Sequence, residues 1–430
     1  MEKLLMVGSC KGGQELIEEA KARNIYTIIA DNCEIGKTKF PIQSDERWII
    51  DTSNIDELEK KCRANNVTAV INAISTFNIT VTMELCKRLN LPCYCSPEAW
   101  HYTVDKLAFK KLCKDNCVPV AQSYEVSTIP TMEELGSIKY PVVVKAIDQS
   151  ANRGMSYCYC ESELIAAIKY ARSVSKSDKV IIERKLNGTE YGAHYAIVNG
   201  KANMFGYVSM LSEPGEMGNC YSITTTEADN LPIYLKEVDP YFKKVLYNGN
   251  MHNGVAWIEM ILDEDGHFYV LEMGYRLSGD MMALPLKNVT GFDSYKWLLD
   301  ISTGKKQSES DLPAQQIRLF ERCGCAYILW SNDSSGTIGK ISGINLLDND
   351  STMKIIYDVR EGSAYRKNQY LITFVFDSDT PEMMCSKIKE INKKIRIYDV
   401  NGNSIAIYFT DYERIHFMHR HELEQEGRYE

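Results

Sequence analysis

The stretch VAWIEMILDEDGHFYVLEM, from Val255 to Met273, contains the clearest β-hairpin pattern in the sequence. Its two apolar-rich segments flank Asp265-Gly266, a dipeptide that favours a two-residue turn. A turn of this length places Glu259 directly opposite Glu272 on the neighbouring strand. A four-residue loop would shift the pairing by two residues but would keep both carboxylates on one face of the hairpin.

The two facing glutamates need a partner, because like charges that lie directly opposite each other repel. A divalent cation with oxygen ligands would satisfy both, most naturally Mg²⁺ that carries nucleotide phosphates. The alternative is that one glutamate pairs with Arg276 or a lysine, or faces water. The hairpin therefore predicts a metal site but leaves the structural alternative open.

A second candidate site lies where the apolar strand 141–145 ends in Lys145. A lysine in this place either holds an anion or extends its ammonium group to solvent. The following loop, 148–154, is rich in small and polar residues, whose backbone N–H groups are able to cover phosphates. An exposed hairpin loop explains the same composition.

The order of patterns along the chain predicts three regions. The first hundred residues alternate between strand and helix, which indicates a parallel sheet covered by helices. From Tyr140 the sequence is rich in strands, and beyond residue 308 strands with Gly-rich turns surround one helix. The glycine cluster Gly8-x-x-x-Gly12-Gly13 does not have the GxGxxG spacing, so a structural turn or small-substrate contact is favoured over nicotinamide binding.

Composition excludes several classes of protein. The 430 residues are 44% hydrophobic and 25% charged, as in globular rather than disordered or fibrous proteins. A net charge of -9 argues against binding to nucleic acid or an anionic membrane. No run approaches the roughly 20 apolar residues of a membrane helix, and the start is too short for a signal peptide. We therefore expect a cytoplasmic protein whose 14 scattered cysteines are reduced thiols, with a zinc site or disulfides as the alternative.

These elements occur in an order and at spacings that resemble the ATP-grasp superfamily. The similarity extends over nearly the whole chain and is greatest to the branch with carbamoyl-phosphate synthetase-like proteins, biotin carboxylase and L-amino-acid ligases. It rests on the small-residue loop together with Lys106, Lys145, Glu183, Glu190, Glu259, Glu272 and Arg276.

The resemblance implies an α/β and α+β architecture with the ATP-grasp fold. An N-terminal parallel α/β domain is expected over residues 1–98. A nucleotide-binding ATP-grasp domain follows over 99–308, with a lid subdomain at about 118–184. A small C-terminal α+β domain completes the chain over 309–430.

The resemblance also implies roles for individual residues at the nucleotide. These are phosphate binding by Lys106 and Lys145, lid-loop contacts by Ser150, Arg153 and Gly154, adenine recognition by the backbone of Glu183, Arg184 and Leu186, and ribose or adenine-edge binding by Glu190. Glu259 and Glu272 match the metal carboxylates, and Arg276 matches the catalytic arginine that steadies the acylphosphate. One departure concerns Gly274, where the family usually has an asparagine that helps to hold a second metal ion.

A carboxylate–amine ligase is the function that the resemblance implies. Its cofactors would be ATP and Mg²⁺, with Mn²⁺ as an alternative metal. It would form an acylphosphate from an amino acid or similar small acid, release ADP and phosphate, and join the acid to an amine. A bicarbonate-activating carboxylase or carbamoyl-phosphate type of enzyme is the first alternative, and a non-catalytic ATP-binding protein is the second. Partners are expected to be small molecules and a second copy of the chain in a homodimer, without nucleic acid or membrane.

Overall fold

The structure is a computed structural model of the 430-residue chain. It describes residues 1–127, 130–147, 153–175, 179–212, 221–223 (backbone only), 230–318, 322–332, 334–347 and 352–415. Each helix in this part of the chain is too short or too polar to span a bilayer.

Twenty strands are described. They are β1 (Lys3–Val7), β2 (Tyr26–Asp31), β3 (Glu46–Ile49), β4 (Ala69–Ile71), β5 (Ser123–Tyr124), β6 (Val142–Ala146), β7 (Ser156–Cys158), β8 (Val180–Arg184), β9 (Gly188–Val198), β10 (Lys201–Leu211), β11 (Tyr221–Ile223), β12 (Gly254–Asp263), β13 (Phe268–Gly274), β14 (Cys323–Ser331), β15 (Gly336–Ser342), β16 (Lys354–Tyr357), β17 (Ala364–Tyr365), β18 (Tyr370–Ser378), β19 (Arg396–Asp399) and β20 (Ala406–Ile407).

Twelve α-helices and two short 3₁₀ helices accompany these strands in the described ranges. They are α1 (Gly13–Ala22), α2 (Ile55–Asn65), α3 (Thr76–Leu89), α4 (Pro97–Val104), α5 (Lys106–Asp115), α6 (Met132–Gly136), α7 (Glu161–Val174), α8 (Asn230–Glu237), α9 (Asp239–Asn248), α10 (Ala283–Thr290), α11 (Ser294–Ser302), α12 (Pro381–Lys394), and the 3₁₀ helices Glu309–Asp311 and Ile344–Leu346.

The N-terminal region is a four-stranded parallel sheet in the order β3-β2-β1-β4. Apolar side chains on both faces of β1, such as Leu4 and Leu5, are fully buried, as expected for a parallel strand with helices on both sides. The parallel α/β region predicted from the alternation of strands and helices is thus confirmed.

A smaller antiparallel sheet, in the order β5-β8-β6-β7, occupies the region predicted to be the lid. Helix α7 packs on it through Leu164, Ile168 and Ala171, and the sheet contributes Val142 and Val144 to the shared core. Strand β6 carries Lys145 next to its C-terminal residue, so the position of this lysine is fixed by the core beneath it.

The largest sheet has nine strands, with the path β13-β12-β9-β10-β11-β14-β18-β16 and β20 attached to β14. It is antiparallel throughout. Because the sheet contains strands from both sides of residue 308, the domain boundary placed there stays a prediction, as does the one at residue 98. The mixed α/β and α+β fold class is confirmed.

The turn between β12 and β13 differs from the two-residue turn predicted for Asp265-Gly266, and that prediction is wrong. Asp263 donates its N–H to the carbonyl of His267 at 3.0 Å, so the loop consists of the three residues 264–266. Gly266 has a φ of +78°, in the left-handed region that three-residue hairpin loops require at this position.

A β-bulge corrects the register that this odd-numbered loop would impose. Met260 is paired with Val270, whereas Glu259 is paired with Glu272, so Leu271 is an extra residue on β13. In an unbroken ladder Leu271 would lie opposite Glu259, and Glu272 would point to the other face of the sheet. The predicted pairing of the two glutamates is therefore present, although for a different reason.

Candidate active site

A cavity of about 490 Å³ lies between the antiparallel sheet β5-β8-β6-β7, which we call the lid sheet, the nine-stranded sheet and segments from both ends of the chain. It brings together most of the residues that the sequence singled out. Those that line it are Lys106, Lys145, Arg153, Glu183, Arg184, Leu186, Glu190, Glu259, Glu272 and Arg276.

Two of the predicted nucleotide contacts do not line this cavity in the described structure. Ser150 lies outside the described residues. Gly154 is buried, its carbonyl accepts the N–H of Ala146 at 3.2 Å, and its φ is +76°. A Cβ at this glycine would come within 2.8 Å of the Ala146 side chain, so the position suits a close backbone approach.

Three carboxylates emerge on one face of the large sheet. Glu259 on β12 and Glu272 on β13 are direct cross-strand partners. Glu190 on β9 pairs with Ile261, two residues from Glu259, so its side chain emerges on the same face. The structure therefore gathers acidic groups from three adjacent strands at one wall of the cavity.

The proximity of these carboxylates raises the pKa values of Glu190 and Glu259. Desolvation and the charge of Glu272 raise the pKa of Glu190 to about 7, against the attraction of Lys145. Desolvation together with the charges of Glu272 and Glu190 also holds the pKa of Glu259 well above its ordinary value. Without a bound cation, Glu190 and Glu259 therefore keep their protons to a higher pH than free glutamates do, because several carboxylates so close together cannot all be charged.

Lysines from α5 and β6 partly neutralise this cluster. Lys106 begins α5, where the preceding Asp105 caps the helix by accepting the N–H groups of residues 107 and 108. This cap fixes the start of the helix, and the Lys106 ammonium group lies 3.6 Å from the carboxylate of Glu272. Desolvation acts to raise the pKa of Glu272, but the charges of Lys106, Lys145 and Arg276 outweigh it and hold that pKa below its ordinary value.

Glu183 has a structural role at the base of the lid that its sequence position did not reveal. Its side chain is 1% exposed and pairs with Lys110 at 2.5 Å and with Lys145 at 3.6 Å. Burial alone would raise the pKa of Glu183, but the two lysines hold it below its usual range. Sequence analysis missed Lys110. The available signal was its place beside Phe109 on α5, one turn after Lys106.

Arg184 and Leu186, the other two residues predicted to recognise adenine, also line the cavity. Arg184 pairs with Asp263 at 2.7 Å and stacks on the ring of Tyr269, so its guanidinium group is held by the hairpin rather than free for a ligand. Leu186 lines the cavity near this point. The surrounding apolar residues that line the same cavity are Val143, Ile181, Met210, Ile261 and Leu271.

Arg276 lies against the indole ring of Trp257, with its guanidinium carbon 5.1 Å from the ring centroid. The same ring covers Gly274, where an added Cβ would come within 2.4 Å of the indole carbons. No side chain therefore fits at residue 274 while Trp257 keeps this position. Trp257 was not predicted as a site residue, and its apolar neighbours gave no reason to single it out.

Further residues that line the cavity were not predicted from the sequence. They come from the N-terminal sheet region, the segment after β13 and the C-terminal region, and comprise Lys39, Ser278, Gly279, Asp280, Trp330, Asp358, Arg366, Asn368, Gln369 and Tyr370. Their sequence separation explains why no local pattern identified them.

The donor set suits ATP and a divalent cation. Facing carboxylates offer the oxygen ligands that Mg²⁺ prefers, and Lys106, Lys145 and Arg153 offer charges for phosphates. Within the described ranges no group of three or more His, Cys, Asp or Glu side chains converges as a complete metal site. Phosphate oxygens and water would therefore supply the remaining ligands, and the apolar lining residues offer a surface for a base.

Comparisons with known proteins agree with this geometry. Residues 138–283 match the model of the ATP-grasp domain family. Formate-dependent phosphoribosylglycinamide formyltransferase from Bacteroides fragilis is 22% identical over 405 residues, which cover 93% of this chain and 100% of that protein.

Solved structures share the fold along the length of the chain. The L-amino acid ligase from Bacillus licheniformis superposes with a TM-score of 0.73 at 17% identity, covering 93% of this chain and 99% of that one. Biotin carboxylase from Campylobacter jejuni gives a TM-score of 0.70 at 15% identity, covering 100% of this chain and 97% of that one. The chain therefore contains an ATP-grasp domain at residues 138–283 and shares its overall fold with these two enzymes.

Proposed function

We propose that this ATP-grasp enzyme is an ADP-forming carboxylate–amine ligase that acts on an amino acid or a similar small acid. The observation that carries the proposal is the single cavity in which Lys106, Lys145 and Arg276 surround the facing carboxylates of Glu259 and Glu272. The enzyme uses ATP and Mg²⁺, in keeping with its superfamily.

The chemistry needs positioning and charge neutralisation rather than a protein nucleophile. The acid's carboxylate attacks the γ-phosphorus of ATP, ADP leaves, and an amine then displaces phosphate from the acylphosphate. Lys106, Lys145 and Arg153 bind the phosphates in this proposal, and Arg276 steadies the negative charge that develops on the acyl group. Mg²⁺, held by Glu259 and Glu272, would supply further neutralisation of the phosphate charge.

The proposed metal content follows from Gly274. Since this residue has no side chain, the hairpin offers two carboxylates and no third protein ligand at that point. We therefore propose that the hairpin itself holds one divalent ion, and that any second ion depends on the nucleotide and water.

Substrate class is proposed from the relatives and the cavity together. The names of two relatives include formate and L-amino acids, both of which contain a carboxylate. A cavity of about 490 Å³ must also admit the nucleotide's phosphates, which leaves space for a small acid and a small amine. A cytoplasmic location and a homodimeric state belong to the same proposal.

A bicarbonate-activating enzyme is the second candidate, because biotin carboxylase shares the fold over the whole chain. The experiment that separates the candidates is a screen of ADP and phosphate release with amino acids, other small acids and bicarbonate, singly and in pairs with amines. Release that requires an acid and an amine supports the ligase. Release with bicarbonate alone supports the carboxylase, and ATP binding without release under any condition supports a non-catalytic protein.

A further inference from the structure

Trp257 is a buried cavity residue whose polar atom has no partner. It lies on β12 two residues before Glu259, so both side chains emerge on the same face. Its side chain is 6% exposed and lines the cavity. Its Nε1–H makes no hydrogen bond within the part of the chain that the structure describes.

The position of this indole is fixed by Gly274, its direct cross-strand partner on β13. The ring covers the Cα of that glycine so closely that a Cβ would lie 2.6 Å from Nε1 itself. The glycine thus permits the close approach, and the close packing leaves the ring little freedom to reorient.

Arg276 supplies a second donor at the same place. Its guanidinium group lies over the Trp257 ring, and its Nη1 donates to the carbonyl of Leu277 at 2.7 Å. Its Nε–H is buried and, among the described residues, has no acceptor. Two adjacent donors, one of them on a cation, are therefore left without acceptors at the wall that also carries Glu259.

Buried donors without acceptors are rare because they lose their hydrogen bonds to water. The missing partner cannot be a cation, since an indole N–H has no lone pair to offer one. An oxygen that carries negative charge satisfies both donors and the charge of Arg276.

We infer that Trp257 is a positioning residue whose indole N–H donates a hydrogen bond to an anionic oxygen of the ligand bound by Arg276. This inference rests on the proposed function, in which two such oxygens approach Arg276. One belongs to the terminal phosphoryl group of ATP and the other to the carboxylate of the acid. Both have the same hydrogen-bonding chemistry, so the experiment must distinguish them.

The test uses the full chain with ¹⁵N-labelled indole groups, which gives one N–H resonance for each of the five tryptophans. Trp257→Phe assigns the resonance of residue 257 and keeps a ring over Gly274. The additions are Mg·ADP, Mg·β,γ-imido-ATP, and Mg·ADP with formate, acetate, glycine or bicarbonate. The Trp257 proton is expected to shift downfield only when the probe supplies the oxygen that it binds.

Affinities measured by calorimetry identify the source of that oxygen. Roughly tenfold weaker binding of β,γ-imido-ATP to Trp257→Phe, with unchanged binding of ADP, assigns the phosphoryl oxygen. A similar loss for one of the carboxylates in the presence of Mg·ADP assigns the acid. Trp297→Phe is the matched control, because Trp297 is equally buried but donates to the carbonyl of Gly254 at 3.0 Å.

Failure of this inference is distinct from failure of the proposed function. If Mg·ADP binds to the wild type but the Trp257 resonance and the Trp257→Phe affinities stay unchanged with every probe, the inference is overturned and the ligase proposal survives. If neither nucleotide binds to the wild-type protein, the proposed function fails, and the inference fails with it.

Discussion

Glu259 and Glu272 lie directly opposite each other on β12 and β13, although the loop that joins these strands has an odd number of residues. The extra residue Leu271 in β13 compensates for the loop. Since bulges re-aim side chains next to functional sites, this irregularity is what turns the Glu272 carboxylate toward Glu259 and Lys106. The proposed metal site depends on it.

Lys145→Ala is expected to weaken nucleotide binding severely. Lys145 lies near the end of β6 on the lid sheet and forms an ion pair with Glu183 at 3.6 Å. Loss of charged hydrogen bonds to phosphates should cost roughly tenfold to a hundredfold in affinity. Calorimetry with Mg·β,γ-imido-ATP measures this effect. Lys169→Ala, at an exposed position on α7, is the control, and unchanged affinity in Lys145→Ala would refute the phosphate role.

Lys110→Met is expected to destabilise the fold. It leaves the buried carboxylate of Glu183 with Lys145 alone, and breaking a buried ion pair costs about 3 kcal/mol or more. The neighbouring Lys111→Met removes only an exposed pair with Asp115 and is expected to leave the free energy of unfolding almost unchanged. Urea unfolding measures both changes. Equal free energies of unfolding for the two variants would show that the buried pair of Lys110 and Glu183 does not stabilise the fold.

His194 should make stability depend on pH in mildly acidic solution. Burial lowers the pKa of His194 from 6.5 to about 4 in the folded protein. Between these values the unfolded chain binds the proton and the folded chain does not, so the free energy of unfolding falls as the pH falls. Above pH 6.5 the neutral imidazole contributes its full stabilisation. Roughly 3 kcal/mol at most of this stabilisation is lost as the pH falls from 6.5 to about 4.

The comparison of wild type with His194→Gln isolates this contribution. Carboxylates with raised pKa values, such as Glu190, act in the opposite direction and are common to both proteins. Urea unfolding from pH 7 to pH 4 should therefore show a shallower loss of stability in His194→Gln. His252→Gln, which removes an exposed histidine, should follow the wild type. Parallel curves for all three proteins would mean that His194 is protonated in the folded state.

Local patterns predicted those features that depend on neighbouring residues. The alternation of strands and helices predicted the parallel N-terminal sheet, and the apolar strand before Lys145 predicted β6. The hairpin pattern predicted that Glu259 faces Glu272, although it did so with the wrong turn. Strand β13 also bonds outside the hairpin, where the N–H of Val270 donates to the carbonyl of Pro119 at 2.9 Å, and the hairpin sequence does not contain such contacts.

Contacts between segments that lie far apart in the chain could not be predicted from the sequence. Nothing near Glu183 indicates that Lys110, on a helix far away in the chain, would neutralise it. The close approach of Trp257 to Gly274 appears only once the register of β12 and β13 is known. For the same reason the contribution of Trp330 and other C-terminal residues to the cavity could not be predicted.

Binding of Mn²⁺ in the presence of ADP, followed by electron paramagnetic resonance, tests the central claim most directly. We expect a nucleotide-dependent Mn²⁺ site in the wild type. In Glu272→Gln the affinity for Mn²⁺ should fall roughly tenfold or more, while circular dichroism and the unfolding curve stay like those of the wild type. Glu264→Gln, on the exposed loop of the same hairpin, should bind Mn²⁺ normally. Equal Mn²⁺ affinity in Glu272→Gln and the wild type would contradict the account, because the facing glutamates would then be structural.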